Sequence, residues 1–350
     1  MKYRVLGDTG VFVSELCLGA MTFGGSGGVW QTIGGLGQAE VDSLVSRSLD
    51  AGINFIDTAN VYALGVSETL LGRALYGKKR HDVVLATKVR GRMGMGANDV
   101  GLSRVHIMRE VEASLKRLDT DYIDLYQIHR PDSDTNIEDT LRALDDLVRQ
   151  GKVRYIGASN LPAWQLMKAL ATSRAGGLER FKSTQSYYSL VGRQLEWDTI
   201  PLIQDQGLGL LVWSPLAGGF LSGKFTRDMT GEGRRKTFDF PPVDKEKGYD
   251  VVDALAKIAT AHGVSVAQVA LAWVLAQRAV TSVIIGARNL KQLDDNLAAV
   301  DLTLTAEELK ALDEVSRIPP AYPMWMDTLG SDRRPGETRR FEDATKPAAK

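Results

Sequence analysis

Short apolar runs recur along this chain, and each stops abruptly at a polar residue able to do chemistry. Ile53–Ile56 stops at Asp57, Val83–Thr87 at Lys88, Tyr122–Ile128 at His129, and Val153–Ala158 at Ser159 and Asn160. Phe181–Thr184 stops at Gln185, Leu208–Val212 at Trp213 and Ser214, and Ser282–Ile285 at Gly286 and Arg288. Glu15–Gly19 is a further strand candidate upstream. Between the runs lie longer segments with apolar residues at helical spacing, which predict helices near 38–51, 67–76, 104–118, 136–150, 162–171, 195–206, 249–262, 265–278 and 289–299. Most strand-end residues follow one another at about thirty residues, the length of one strand–helix–strand unit. Strand–helix alternation signals a parallel sheet, and eight units without a break favour closure.

The expected fold is therefore of the α/β class, a single (β/α)8 TIM barrel. An N-terminal β-hairpin is expected from residues 3–6 and 11–14 around Gly7-Asp8-Thr9-Gly10. An extra C-terminal helix is expected over 305–316, where Thr305 and Glu308 make a capping box. Long loops, 24–37 and 216–247, would lie over the C-terminal face. Residues 1–350 read as one domain, and the polar tail from about 331 is expected to be mobile. In such a barrel every strand delivers its C-terminal end to one face, where the active site lies. Residues far apart in the chain would thus share one pocket.

Charge excludes some partners. Lys plus Arg and Asp plus Glu number 43 each. This balance favours neither nucleic acid nor an anionic membrane. Cys17 has no cysteine to pair with, which suits a reducing compartment. The N-terminus lacks the apolar core of a signal peptide, and no run reaches the ~18 apolar residues of a membrane span. A cytoplasmic protein is expected. The histidines at 81, 106, 129 and 262 form no metal-binding pair, so no metal is expected. No G-x-G-x-x-G follows a strand, so that dinucleotide-binding fingerprint is missing.

Asp57, Tyr62, Lys88 and His129 carry the chemistry. Asp57 and Lys88 would sit on neighbouring strand ends as an ion pair, because a lone buried charge is costly. Tyr62 lies in the loop after Asp57. A phenol titrates near 10, and a neighbouring ammonium would lower that value and make it a better acid. His129 would orient the oxygen that receives the proton. These groups are the parts needed to reduce a carbonyl.

Several longer motifs go with them. Gly52-Ile-Asn-Phe-Ile-Asp57-Thr-Ala-Asn-Val-Tyr62 with Gly65 and Ser67-Glu68, Thr87-Lys88 and Gln127-Ile128-His129 come first. Gly157-Ala-Ser159-Asn160, Gln185-Ser-Tyr-Tyr-Ser189, Trp213-Ser-Pro-Leu216 and Ile285-Gly286-Ala287-Arg288 follow. Together they resemble the aldo-keto reductase superfamily over roughly residues 3–318, in the bacterial oxidoreductase and potassium-channel β-subunit branch. The resemblance implies an oxidoreductase that reduces an aldehyde or ketone with NADP(H), NAD(H) being second choice. It makes Tyr62 the acid, Asp57 and Lys88 its tuners and His129 the residue that positions the carbonyl. Ser159, Asn160 and Gln185 would hold the nicotinamide carboxamide, and Trp213 would stack on its ring. Ser214, Pro215, Leu216, Gly218, Ser222, Lys224 and Arg234 would run along the pyrophosphate, while Gly286, Arg288, Gln292, Asp295 and Asn296 would meet the adenosine phosphate. A small carbonyl compound is the expected partner, and a homo-oligomer is compatible with the sequence. The rival reading is a cofactor-occupied regulatory subunit with little turnover.

Overall fold

Eight of the apolar runs hydrogen-bond side by side into a closed parallel barrel. They are β3 (Leu16–Gly19), β4 (Phe55–Asp57), β5 (Val84–Val89), β6 (Ile123–Ile128), β7 (Val153–Ser159), β8 (Phe181–Tyr187), β9 (Gly209–Trp213) and β10 (Val280–Ile285), with β10 closing onto β3. The preceding β1 (Tyr3–Val5) and β2 (Phe12–Ser14) form the expected antiparallel hairpin. The computed structural model describes residues 1–25, 28–77, 80–227, 235 and 238–328. Two compact units divide the chain, Met1–Arg317 with the barrel and Ile318 onward with a 3-10 turn at Met324–Thr328. Arg234 and the tail from 331 lie outside the described residues.

The side chains inside the barrel come in layers, because alternate residues of a strand face the same side. Cys17, Phe55, Ala86, Leu125 and Leu211 form an apolar layer that packs with Leu6 and Val13 of the hairpin region. Two residues further along the strands come Asp57, Lys88, Gln127 and Trp213. The hairpin thus plugs the barrel below, and the charged and amide groups Asp57, Lys88 and Gln127 collect above. Cys17 belongs to the lower layer, where burial pushes its thiol up, away from reactivity.

Helices cover the outside. α2 (Gln38–Asp50), α3 (Val66–Leu75), α4 (Arg104–Leu118), α5 (Ile137–Arg149) and α6 (Ala163–Gly176) follow successive strands. In α5 Leu141, Leu144 and Leu147 face the core, while Glu138 and Arg142 pair on the other face. Ser103, Asn136, Asp244, Ser265, Asn289 and Thr305 cap helices with their side chains, and each cap contributes about 1 kcal/mol. After β9 come α8 (Lys245–His262) and α9 (Val266–Ala276); α10 (Leu290–Leu297) and the extra α11 (Ala306–Ser316) end the barrel unit. Among the described residues no single helix is long and apolar enough to cross a membrane.

Two elements differ from the expectation. The glycine-rich segment 24–37 contains a short helix, α1 (Gly28–Ile33). The helix expected over 195–206 is a 3-10 turn, Gln194–Glu196, followed by α7 (Thr199–Gln206). Pro201 explains the split. It lacks an N–H, so it fits the first turn of a helix, where that donor has no partner anyway, and not the second.

Candidate active site

Strand register assembles the site. Gly19 pairs with Asp57, Lys88 with Gln127, Gln127 with Gly157, Ser159 with Gln185, and Tyr187 with Trp213. The polar strand ends therefore stand around one rim.

At its centre the Lys88 amine is fully buried. It donates to Asp57 Oδ2 at 2.5 Å, to the Thr58 carbonyl at 2.9 Å and to the Tyr62 hydroxyl at 3.2 Å. An ammonium has three hydrogens, and all three are used. Tyr62 accepts from Lys88, so its own hydrogen is free for another acceptor. Asp57 Oδ1 in turn receives Nε2 of Gln127 at 3.0 Å and Nε2 of Gln185 at 2.9 Å. The His129 ring meets the Tyr62 ring edge to face, centroids 5.7 Å apart. Trp30 packs on Tyr62 from another side at 5.9 Å.

Tyr62 is presented by a strained turn. Ala63 and Leu64 both take left-handed φ, 48° and 53°, at a cost of about 1–2 kcal/mol each. Gly65 follows at φ 93°, where a Cβ would lie 2.7 Å from Arg117 Cδ. The turn is held from behind: Arg117 pairs with buried Glu68 at 2.6 Å, and Glu68 accepts from Thr87 at 2.6 Å. Such strain persists only where the surroundings over-determine it, and it concentrates at functional sites.

Electrostatics correct one expectation. Burial pushes the Tyr62 phenol above its ordinary value; Lys88 pulls it down and Asp57 pushes it up, and the net direction is upward. Loss of water around the phenol outweighs the pull of the Lys88 charge, and the Asp57 charge opposes that pull further, so Lys88 fails to acidify the phenol. Burial alone would drive Lys88 down, yet Asp57 and Tyr62 hold it above the usual lysine value. His129 is pushed well below its ordinary value by burial, with Lys88, Arg130 and Arg90 adding to the effect. At neutral pH the site thus holds a protonated phenol, a protonated amine and a neutral imidazole.

The lowered histidine has a consequence for stability. A half-buried imidazole whose value is lowered on folding contributes stability that is present above the unfolded value, about 6.5, and is lost as pH falls toward the folded one. We expect His129→Gln to remove part of the loss seen in urea unfolding midpoints between neutral and mildly acid pH. An acid limb unchanged by His129→Gln would assign that loss to other groups.

The remaining candidates fall into three places. Ser159, Asn160, Gln185 and Trp213 adjoin the centre. Asn160, at φ 57°, gives its amide hydrogens to the His129 carbonyl and Ser159 Oγ, and its oxygen accepts from Trp213 Nε1 at 3.0 Å. Trp213 also stacks on Phe240 with planes 8° apart, and Tyr187 lies 5.2 Å away. Ser214, Pro215, Leu216, Gly218 and Ser222 form a second group, a tight turn after β9. Ser214 Oγ accepts from the Gly218 N–H, and Ser222 Oγ donates to the Gly219 carbonyl. Lys224 follows, exposed. Gly286, Arg288, Gln292 and Asn296 gather where α10 begins: Asn296 donates to the Gly286 carbonyl, and the Arg288 N–H to Gln292 Oε1. Asp295 points elsewhere, toward Ser265 and Gln268 at the start of α9. The Arg288 guanidinium donates to the Thr32 and Ile33 carbonyls, tying α1 to this region.

Sequence reasoning gave no role to Gln127, Phe240 or the Thr58 carbonyl. Gln127 left a signal: it is polar at an inward strand position, two residues from His129. Phe240 left none, because it arrives from an irregular loop.

Comparison with known proteins agrees with this geometry. The model of the Aldo/keto reductase family matches residues 15–317. An uncharacterized oxidoreductase, YrpG, of Bacillus subtilis is 39% identical, over 90% of this chain and 96% of that protein. A probable voltage-gated potassium channel subunit beta of rice, Oryza sativa subsp. japonica, is 37% identical over 91% and 98%. Versiconal hemiacetal acetate reductase of Aspergillus parasiticus is 36% identical over 90% and 96%. A closed parallel barrel, a strand-end cluster of acid, amine and phenol, and a family match across nearly the whole barrel agree: this chain belongs to the aldo/keto reductase family.

Proposed function

We propose that this chain reduces an aldehyde or ketone to the alcohol with NADPH, reversibly, and that Tyr62 supplies the proton. The observation that carries the reading is the saturated Lys88 amine. With its three hydrogens committed to Asp57, Thr58 and Tyr62, the phenol oxygen can only accept from it, and the phenol hydrogen is left for the substrate oxygen. As that hydrogen departs, negative charge grows on an oxygen already 3.2 Å from an ammonium. Fixed positive charge beside developing negative charge stabilises the transition state without reorganisation. The raised phenol keeps its proton through the neutral range, so supply does not limit. His129, neutral, donates a hydrogen bond to the substrate oxygen without adding charge.

The residues present fit a dinucleotide. Gln185 Oε1 accepts nothing from the described residues, which leaves an acceptor for a carboxamide N–H. A Cβ on Gly286 would meet nothing within 4 Å, so its backbone is approachable at the start of α10, and a helix N-terminus favours phosphate. Arg288, held at one end by two carbonyls, keeps further donors for a 2′-phosphate. When bound, the reduced nicotinamide supplies hydride to the carbonyl carbon. The protein's part is to hold the carbonyl between Tyr62, His129 and Trp30.

The test is aldehyde-dependent loss of NADPH absorbance over many turnovers. One turnover per chain, with no more under excess aldehyde, would sink the enzymatic reading in favour of a regulatory, cofactor-holding subunit. For the phosphate, Arg288→Met is expected to raise KM for NADPH about tenfold or more and leave that for NADH unchanged, as loss of a charge-assisted hydrogen bond implies. Equal effects on both cofactors would remove Arg288 from 2′-phosphate recognition.

A further inference from the structure

Gln127 is fully buried among groups that do chemistry, and it touches two of them. Its Nε2 donates to Asp57 Oδ1 at 3.0 Å, and its Oε1 lies 3.3 Å from Gln185 Nε2, which donates to the same Asp57 oxygen at 2.9 Å. A carboxylate oxygen can only accept. Both amides must therefore turn their nitrogens toward Asp57. For Gln185 this forces the carbonyl oxygen the other way, to the side where it has no partner among the described residues. Gln127 closes the triangle by offering its own oxygen to the Gln185 nitrogen. The barrel makes room for this side chain: a Cβ on the register neighbour Gly157 would lie 3.1 Å from Gln127 Cγ and 2.9 Å from Ser183 Oγ. Glycine there leaves space for the glutamine stem.

We propose that Gln127 is a positioning residue for this reaction. It holds the Asp57 carboxylate toward Lys88 and sets the Gln185 amide with its oxygen facing the nicotinamide carboxamide. One buried amide thereby links the proton relay to the cofactor seat. The inference rests on the reductase reading given above, and its test includes an arm that needs no turnover.

Gln127→Met keeps length and bulk but removes both polar contacts. We expect it to weaken NADPH binding, read by quenching of tryptophan fluorescence, by about tenfold, and to lower kcat by a similar factor, as loss of hydrogen bonds to charged and buried groups implies. KM for the carbonyl compound stays within about twofold, since Gln127 does not touch the pocket for it. Gln127→Glu gives a signature that packing alone cannot. Two carboxyls sharing one site hold a proton between them at low pH. That proton restores a donor to Asp57, so Gln127→Glu approaches wild-type kcat in acid and falls below it as pH rises, earlier than wild type does. Gln127→Met shows no such recovery.

Wild-type NADPH affinity and kcat in Gln127→Met, or a Gln127→Glu profile parallel to wild type, would overturn the role of Gln127 while leaving the reductase intact. A wild-type chain that binds NADPH without turning over any carbonyl, and whose affinity still drops in Gln127→Met, would sink the reductase reading alone. A wild-type chain that binds no NADPH would overturn both.

Discussion

Tyr62→Phe is expected to lower kcat for carbonyl reduction by about two to four orders of magnitude while NADPH still binds and the protein stays folded. The substitution removes one oxygen and keeps the ring, so the contacts to His129 and Trp30 survive. What goes is the single hydrogen that the Lys88 network leaves free. Lys88 then loses one of three acceptors, a modest penalty because Asp57 and the Thr58 carbonyl remain. The measurements are steady-state turnover with a reactive aldehyde and a fluorescence titration with NADPH. Turnover within threefold of wild type would show that the proton comes from elsewhere, with His129 next in line. The pH profile adds a check: the phenol sits above its ordinary value, so wild-type reduction should hold through neutral pH and decline only in alkali. That alkaline decline should be missing from whatever rate Tyr62→Phe retains.

Lys88→Met is expected to cost about 3–5 kcal/mol of unfolding free energy and to abolish activity. The physical reason is what remains. Asp57 keeps its two amide donors but loses its counter-charge, and it is only 2% exposed. Breaking a buried pair is costlier than replacing it, because one charge is stranded away from water without its counter-charge. Asp57→Asn with Lys88→Met removes both charges, and most of the lost stability should return while activity does not. That double substitution separates the stabilising part of the pair from its chemical part. Full stability in Lys88→Met alone would mean that water reaches Asp57. The pH dependence follows from the raised amine: its contribution is complete below the ordinary lysine value and is lost as pH climbs through the higher folded one. The gap between wild type and Lys88→Met should thus be level across neutral pH and narrow only in strong alkali.

Much of this architecture is legible in one dimension. A parallel strand buried on both faces reads as a continuous apolar run, and its end is visible as a sudden polar residue. The eight runs, the hairpin turn and the capping box at Thr305 all carry local chemistry that a single chain displays. The residues at the ends are legible for the same reason: Asp57, Lys88 and His129 interrupt apolar runs, where a charge has to have a purpose. Where local signals compete, the reading slips. Pro201 shortens a helix whose apolar spacing runs past it, and α1 forms in a segment whose glycines argue for a loop.

From the sequence alone came the order of strands and helices, the closed parallel barrel, and the list of groups that its upper rim would carry, since those depend on periodicity and on where apolar runs end. Only the tertiary structure decided how the groups bind one another. It alone showed that Lys88 spends all three hydrogens and leaves the phenol's own free, that burial outweighs the ammonium and raises Tyr62, and that Gln127 and Gln185 share one carboxylate oxygen. Those outcomes rest on distances of 2.5–3.3 Å between residues up to 128 positions apart and on exclusion of water from the space between them. Neither quantity is a property of any stretch of sequence, because both arise only when the barrel closes.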